Sequence, residues 1–190
     1  MAGTTRLPTV TAPLNPGAST VSNVLVLSSS LETADPAPAP VRLLGATDRS
    51  LVYVATTRND LTRLERWLAA AGPDADVRVV DATPGEHAPR PDVPTTTVAT
   101  PDALTALGVA VTEAMAAAGP DPVCSFRSLT ALRQYVDRRR AYRFLNAAVG
   151  RAETNAALAC FVADPRALAD RDIHAFASLF DAVHDCRGSR

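Results

Sequence analysis

The chain has 190 residues, of which 47% are hydrophobic and 21% charged, and its formal net charge is −1. That composition fits one globular domain with a self-sufficient core, excludes a disordered chain, and gives no long-range pull on nucleic acid or an anionic membrane. All 19 basic residues are arginine, which excludes chemistry that needs a lysine amine, from Schiff bases to the lysine of a phosphate-binding loop.

Residues 1–21 carry Pro8, Pro13 and Pro16 among threonines and serines, with Leu7, Val10 and Leu14 too sparse to bury much, and read as a flexible arm. The arm lacks the apolar segment of a secretory signal, and no run of about 18 apolar residues exists to cross a bilayer, so a cytoplasmic protein is expected. One domain is expected over 22–186, with a short tail at 187–190.

The domain opens on SNVLVLSSSLETAD, where β-branched Val24 and Val26 lie between Leu25 and Leu27. This reads as a buried parallel strand, expected at the centre of the sheet. In an α/β domain the loop after such a strand is where a phosphate cradle of the form G-x-x-x-x-G-K-[ST] sits. Here the loop holds Ser28, Ser29, Ser30, Leu31, Glu32 and Thr33, with neither glycine nor lysine. Pro36, Pro38 and Pro40 then preclude the helix whose first amides would face an anion.

Residues 51–56 form a second apolar strand, and Asn59 or Asp60 is placed to cap a helix with Leu61, Leu64, Trp67 and Leu68 inward. Trp67 reads as core packing. A third strand over 77–80, a proline-rich loop and a short fourth strand over 95–99 follow. Thr100-Pro101-Asp102 signals a helix start, with Leu104, Leu107, Val111 and Met115 on one face. After a fifth strand over 123–126, Ser128 caps a short helix and Asp137 restarts it, with Ala141, Phe144, Leu145, Ala148 and Val149 inward. A sixth strand is expected over 156–162. Asp170 or Asp172 opens a last helix that buries Ile173, Phe176, Ala177 and Phe180. Strands alternating with helices, most of them continuous apolar runs, predict a three-layer αβα sandwich around a mostly parallel sheet.

Ser128-Leu129 with Leu132, then Arg143-Phe144-Leu145, Asp164-Pro165 and Leu179-Phe180-Asp181 occur in that order, preceded by the helix segment DALTALGVAVTEAM. In these the chain resembles the KaiC-type ATPases of the RecA superfamily, within the P-loop NTPases. The likeness is strongest to an uncharacterised group of halophilic-archaeal relatives that lack the Walker motifs. It runs over 22–185 and implies a RecA/KaiC-like core. It also implies that the strands over 23–27 and 123–126 are neighbours, which sets Ser28 beside Arg127. The position of the Walker B aspartate is Arg127, a cation where a metal ligand belongs. With cradle, lysine and metal ligand all missing, no ATP hydrolysis, no metal and no cofactor are expected.

The expected role is a pseudo-ATPase acting as a regulatory or protein-interaction domain, with a protein partner and, by analogy alone, self-association. One alternative has Arg127 and the hydroxyls of Ser28, Ser29 and Ser30 rebuilding a nucleotide or anion site; in its rival, Glu32 or Asp164 neutralises Arg127 from within. Another alternative uses Arg138, Arg139, Arg140 and Arg143, with Tyr135 and Tyr142 interleaved, as a nucleic-acid grip. The plainer reading of that cluster is a solvated helix face, and the net charge argues against nucleic acid. His87, His174 and His184 fall in a loop and the last helix without metal-ligand spacing. Cys124, Cys160 and Cys186 read as reduced thiols, two of them in buried strands.

Overall fold

The computed structural model describes residues 22–28, 49–71, 76–85 and 90–186. Strand β1 (Asn23–Leu27) is followed by β2 (Leu51–Ala55), α1 (Arg58–Ala71), β3 (Val77–Asp81), β4 (Thr95–Thr97) and α2 (Leu104–Ala117). The second half comprises β5 (Val123–Phe126), α3 (Leu129–Tyr135), α4 (Arg138–Thr154), β6 (Leu158–Ala163), α5 (Asp170–Ala177) and β7 (Ala182–Asp185). All seven strands pair in parallel, in the order β4-β3-β2-β5-β6-β1-β7.

Two expectations about the sheet are corrected by this order. The central strand is β5, not β1, which lies next to the edge strand β7. Nor are β1 and β5 neighbours, because β6 runs between them. The physical reason is in the sequence of β6: LACFVA is apolar at every position and buried at every position, so it is stable only with strands on both sides and layers on both faces.

Alternation along the strands divides the core in two. One face turns Leu25, Val54, Phe126 and Phe161 toward α2, α3, α4 and α5, and a chain of rings runs from Phe144 through Phe126 and Phe161 to Phe180 at centroid distances of 5.9, 5.8 and 5.1 Å. The other face carries Val24, Val26, Tyr53, Val79 and Cys160 and packs against Leu64 and the half-buried Trp67 of α1. Among the described residues, five helices on two faces of a parallel sheet make the three-layer αβα sandwich.

The capping serine and aspartate act as their positions predict. Ser128 Oγ accepts the Ala131 N–H at 3.0 Å, and Asp137 Oδ1 accepts the Arg140 N–H at 2.8 Å. That bond, with help from the neighbouring amide and guanidinium, holds the Asp137 carboxyl below its ordinary range. The Thr100 hydroxyl is instead spent on Asp102, and α2 starts two residues later with no side-chain cap on Ala103. Strand β6 also starts late. The amides of Ala156 and Ala157 bond back to the carbonyls of Glu153 and Ala152, closing α4 with a Schellman turn that holds Ala156 at φ +51°.

The last helix ends at Ala177, so Phe180 packs from a turn rather than from the helix, although its ring is buried as predicted. The seventh strand, AVHD, was not expected, since it has no apolar run. It forms because β1 offers an open edge, and Asp181 secures the junction: its Oδ2 accepts the N–H groups of both Ser22 and Asn23 at 2.9 Å. His184 therefore lies buried on a strand, not on a helix.

Candidate functional site

The order in which strands are added reverses between β2 and β5: from β2 the connections lead outward to β3 and β4, and from β5 they lead the other way to β6. In an open parallel sheet the crevice beyond the carboxyl ends of the strands at such a point is the default ligand site. Its walls are the turn after β2, which feeds α1, and the turn after β5, which feeds α3.

On the β2 side, Thr57 and Asp60 form a capping box. Thr57 Oγ1 accepts the Asp60 N–H at 3.2 Å, and Asp60 Oδ2 accepts the N–H groups of Thr57 at 3.0 Å and Thr56 at 3.1 Å. The phenol of Tyr53, fully buried on β2, donates to the Asp60 carbonyl at 2.7 Å. Thr56 Oγ1 stands 3.4 Å from both Asp60 Oδ2 and the Ser128 carbonyl, tying the two walls together. A carboxylate on a residue only 5% exposed thus takes the two amides just before the first turn of α1 and stands at the helix start.

On the β5 side, Arg127 extends the strand by one residue, its N–H donating to the Val54 carbonyl at 3.1 Å. Its side chain turns to the α1 face, beside Tyr53 and Arg63. Burial raises the Tyr53 phenol above its ordinary range, with Arg127 pulling the other way, and burial followed by Arg127 lowers Arg63. Arg127 Nε is buried without a hydrogen-bond partner, and so is the Ser125 hydroxyl below it.

Ser28 lies at the end of β1 and donates its N–H to the Ala163 carbonyl at 3.0 Å. With β6 interposed, Ser28 and Arg127 are two strand spacings apart, about 10 Å. The expected adjacency of the strands that carry Ser28 and Arg127 is thereby corrected. Ser29, Ser30 and Glu32 lie outside the described residues, as do His87, the arm over 1–21 and the prolines over 36–40. Asp164, the other expected partner of Arg127, accepts the Arg166 N–H at 2.9 Å in a local turn, while Thr130 Oγ1 accepts its N–H.

Two features near the crevice were missed. Asp60 read only as a helix cap, although the T-x-x-D spacing of a capping box was there to find. Asp81, at the end of β3 and 1% exposed, accepts the Thr83 N–H and lies 3.6 Å from Arg90, which also pairs with Glu65 of α1.

The basic cluster does not form one stripe. Arg138 approaches Asp172 of α5 at 3.9 Å, where Arg133 already makes two contacts of 2.9 Å. Arg140 reaches the Asp102 carbonyl at 3.4 Å, Arg143 turns toward α2, and Arg139 is exposed. Tyr135 and Tyr142 are exposed as well. Among the described residues no His, Cys, Asp or Glu side chains converge in threes as metal ligands, and no helix is long and apolar enough to cross a membrane.

Fold and crevice define a parallel αβα domain whose strand-end site is lined by its own carboxylate and guanidinium. The chain belongs to DUF7504, a family of unknown function, whose model matches residues 21–185. No curated protein matches it.

Proposed function

We propose that this chain is a non-catalytic relative of the RecA/KaiC-type ATPases that serves as a regulatory, protein-binding domain. The observation that carries the reading is the occupancy of the switch-point crevice from within: Asp60 takes the Thr56 and Thr57 amides. Arg127 ends β5, where the resembling ATPases have an aspartate. A phosphate entering the turn between β2 and α1 would meet the Asp60 carboxylate, and a metal at the end of β5 would meet a guanidinium in place of a carboxylate.

The partner half of the proposal draws support from the opposite flank. Tyr135 and Tyr142 are 44% and 37% exposed beside Arg139, and tyrosine with arginine is the pairing that anchors protein interfaces. Thermal melting with phosphate, ADP and ATP tests the proposal. A ligand at 100 times its Kd would add about 2.7 kcal/mol to stability, and no shift is expected for the wild type. A shift that disappears in Arg127→Ala would replace this reading with that of an anion-binding module.

A further inference from the structure

On the face of the sheet opposite Arg127, helices α2 and α4 pack against each other over β5 and β6 and leave between them and the sheet a cavity of about 480 Å³. Its floor is Cys124, Phe126, Ala159 and Phe161. The gap exists because the facing helix positions are small: Gly108 on α2, and Ala148 and Ala152 on α4. A Cβ at Gly108 would stand 2.6 Å from Arg151 Nη1 and 3.8 Å from Phe144, so glycine there lets the Arg151 guanidinium lie over the cleft.

The interior is apolar, with Leu104, Val111 and Met115 along the α2 wall. The charged groups on its lining are Arg140, Arg143 and Arg151, all from α4 and all exposed, and no carboxylate joins them. Neither Arg143 nor Arg151 has a side-chain hydrogen bond or ion-pair partner among the described residues, whereas Arg140 donates to the Asp102 carbonyl at 3.4 Å and interacts with the Asp137 carboxylate. A chain with net charge −1 therefore sets two guanidiniums, Arg143 and Arg151, at the mouth of an oily slot with no carboxylate partner among the described residues.

We infer that the α2–α4 cleft is a binding site for a single-chain anionic amphiphile, its alkyl tail over Phe126 and Phe161 and its head group held by Arg143 and Arg151. The volume lies within the range of small-molecule sites, about 300–1,000 Å³, and the mix of apolar lining with a few charged groups is typical of them. From Leu104 to Met115 the α2 wall is about 16 Å long, the reach of a medium alkyl chain. Guanidinium forks bind carboxylate or phosphate oxygens by charge-assisted bonds and do not bind an alcohol or an ammonium comparably. The site is independent of the strand-end crevice, and its occupant would not touch Asp60 or Arg127.

Titration calorimetry of the full chain with dodecanoate, dodecyl phosphate, dodecanol and dodecyltrimethylammonium below their critical micelle concentrations tests the inference. The two anions are expected to bind at one site per chain, at least tenfold tighter than the alcohol, with no binding of the cation. The double variant Arg143→Gln/Arg151→Gln is expected to lose that tenfold preference while keeping its melting temperature. Ala148→Phe, which fills the slot, is expected to abolish binding of all four; Ala147→Trp at the rim serves the same purpose if that variant does not fold. Anions and alcohol binding equally, no binding of any, or anion binding unchanged in the double variant would each overturn the inference. So would sedimentation with anionic phospholipid vesicles that dodecanoate fails to compete, since that assigns the arginines to a membrane surface.

Discussion

Replacing Asp60 by alanine tests the self-occupied crevice at its keystone. The carboxylate is almost wholly buried and accepts two backbone N–H groups, at 3.0 and 3.1 Å, at the start of α1. Losing a capping carboxylate costs about 0.5–2 kcal/mol. The Thr56 amide, on a residue 1% exposed, is also left without its acceptor, at about 1–3 kcal/mol more, whereas the half-buried Thr57 can recruit water. The sum is about 1.5–5 kcal/mol, which for a domain of this size lowers Tm by roughly 3–20 °C. The Asp60→Asn variant, which keeps an acceptor oxygen in the same place, should lose much less. The Asp60 carboxylate lies close enough to Arg63 to act on its charge, so inorganic phosphate should raise the Tm of Asp60→Ala and leave the wild type unmoved. Calorimetric melts of the three proteins with and without phosphate read both effects. A loss below about 1 kcal/mol, or a phosphate response as large in the wild type as in the alanine variant, would refute the reasoning.

Phe180→Ala, which removes a ring packed 5.1 Å from Phe161, should cost about 5 kcal/mol; Phe144→Ala, whose ring borders an existing cavity, should cost nearer 3, both read by denaturant melts. Burial pushes the Cys124 thiol up to about 12 and the Cys160 thiol further, so iodoacetamide at pH 8 should label Cys186 alone in the folded protein and all three in denaturant, as counted by mass spectrometry. Ala156 is strained by its left-handed φ of +51°, so Ala156→Gly should stabilise by about 0.5–1 kcal/mol; a destabilised variant would mean that the α4 terminus is not the Schellman turn described.

Much of the fold was legible because burial and period coincide. Five-residue apolar runs such as LVYVA have one use in a parallel sheet, and Ser128 and Asp137 stand one residue before their helices with the acceptors those helices need. Strand β7 was not legible, because AVHD carries no hydrophobic pattern and pairs only because the β1 edge is free. The order of the strands was misread for a related reason. Apolarity marked both β1 and β6 as interior, but nothing local distinguishes the strand flanked by two covered neighbours from the one beside a short edge. At the site, the sequence singled out Arg127 and the absence of a cradle after β1, but not the part Asp60 plays in the crevice. Asp60 is 67 positions away along the chain, and only the β2–β5 pairing brings its helix start to the same crevice. The dispersal of the arginine cluster was equally hidden, since side chains on one helix segment turn to α5, to α2 and to solvent according to packing, not spacing.

The most direct test of the central claim is phosphate release from magnesium ATP by the wild-type protein after two orthogonal purifications, with Arg127→Ala carried through the same steps. With Asp60 at the start of α1 and a guanidinium at the end of β5, neither protein is predicted to exceed the buffer rate. Turnover that co-purifies with the wild type through both columns and is lost in Arg127→Ala would contradict the account.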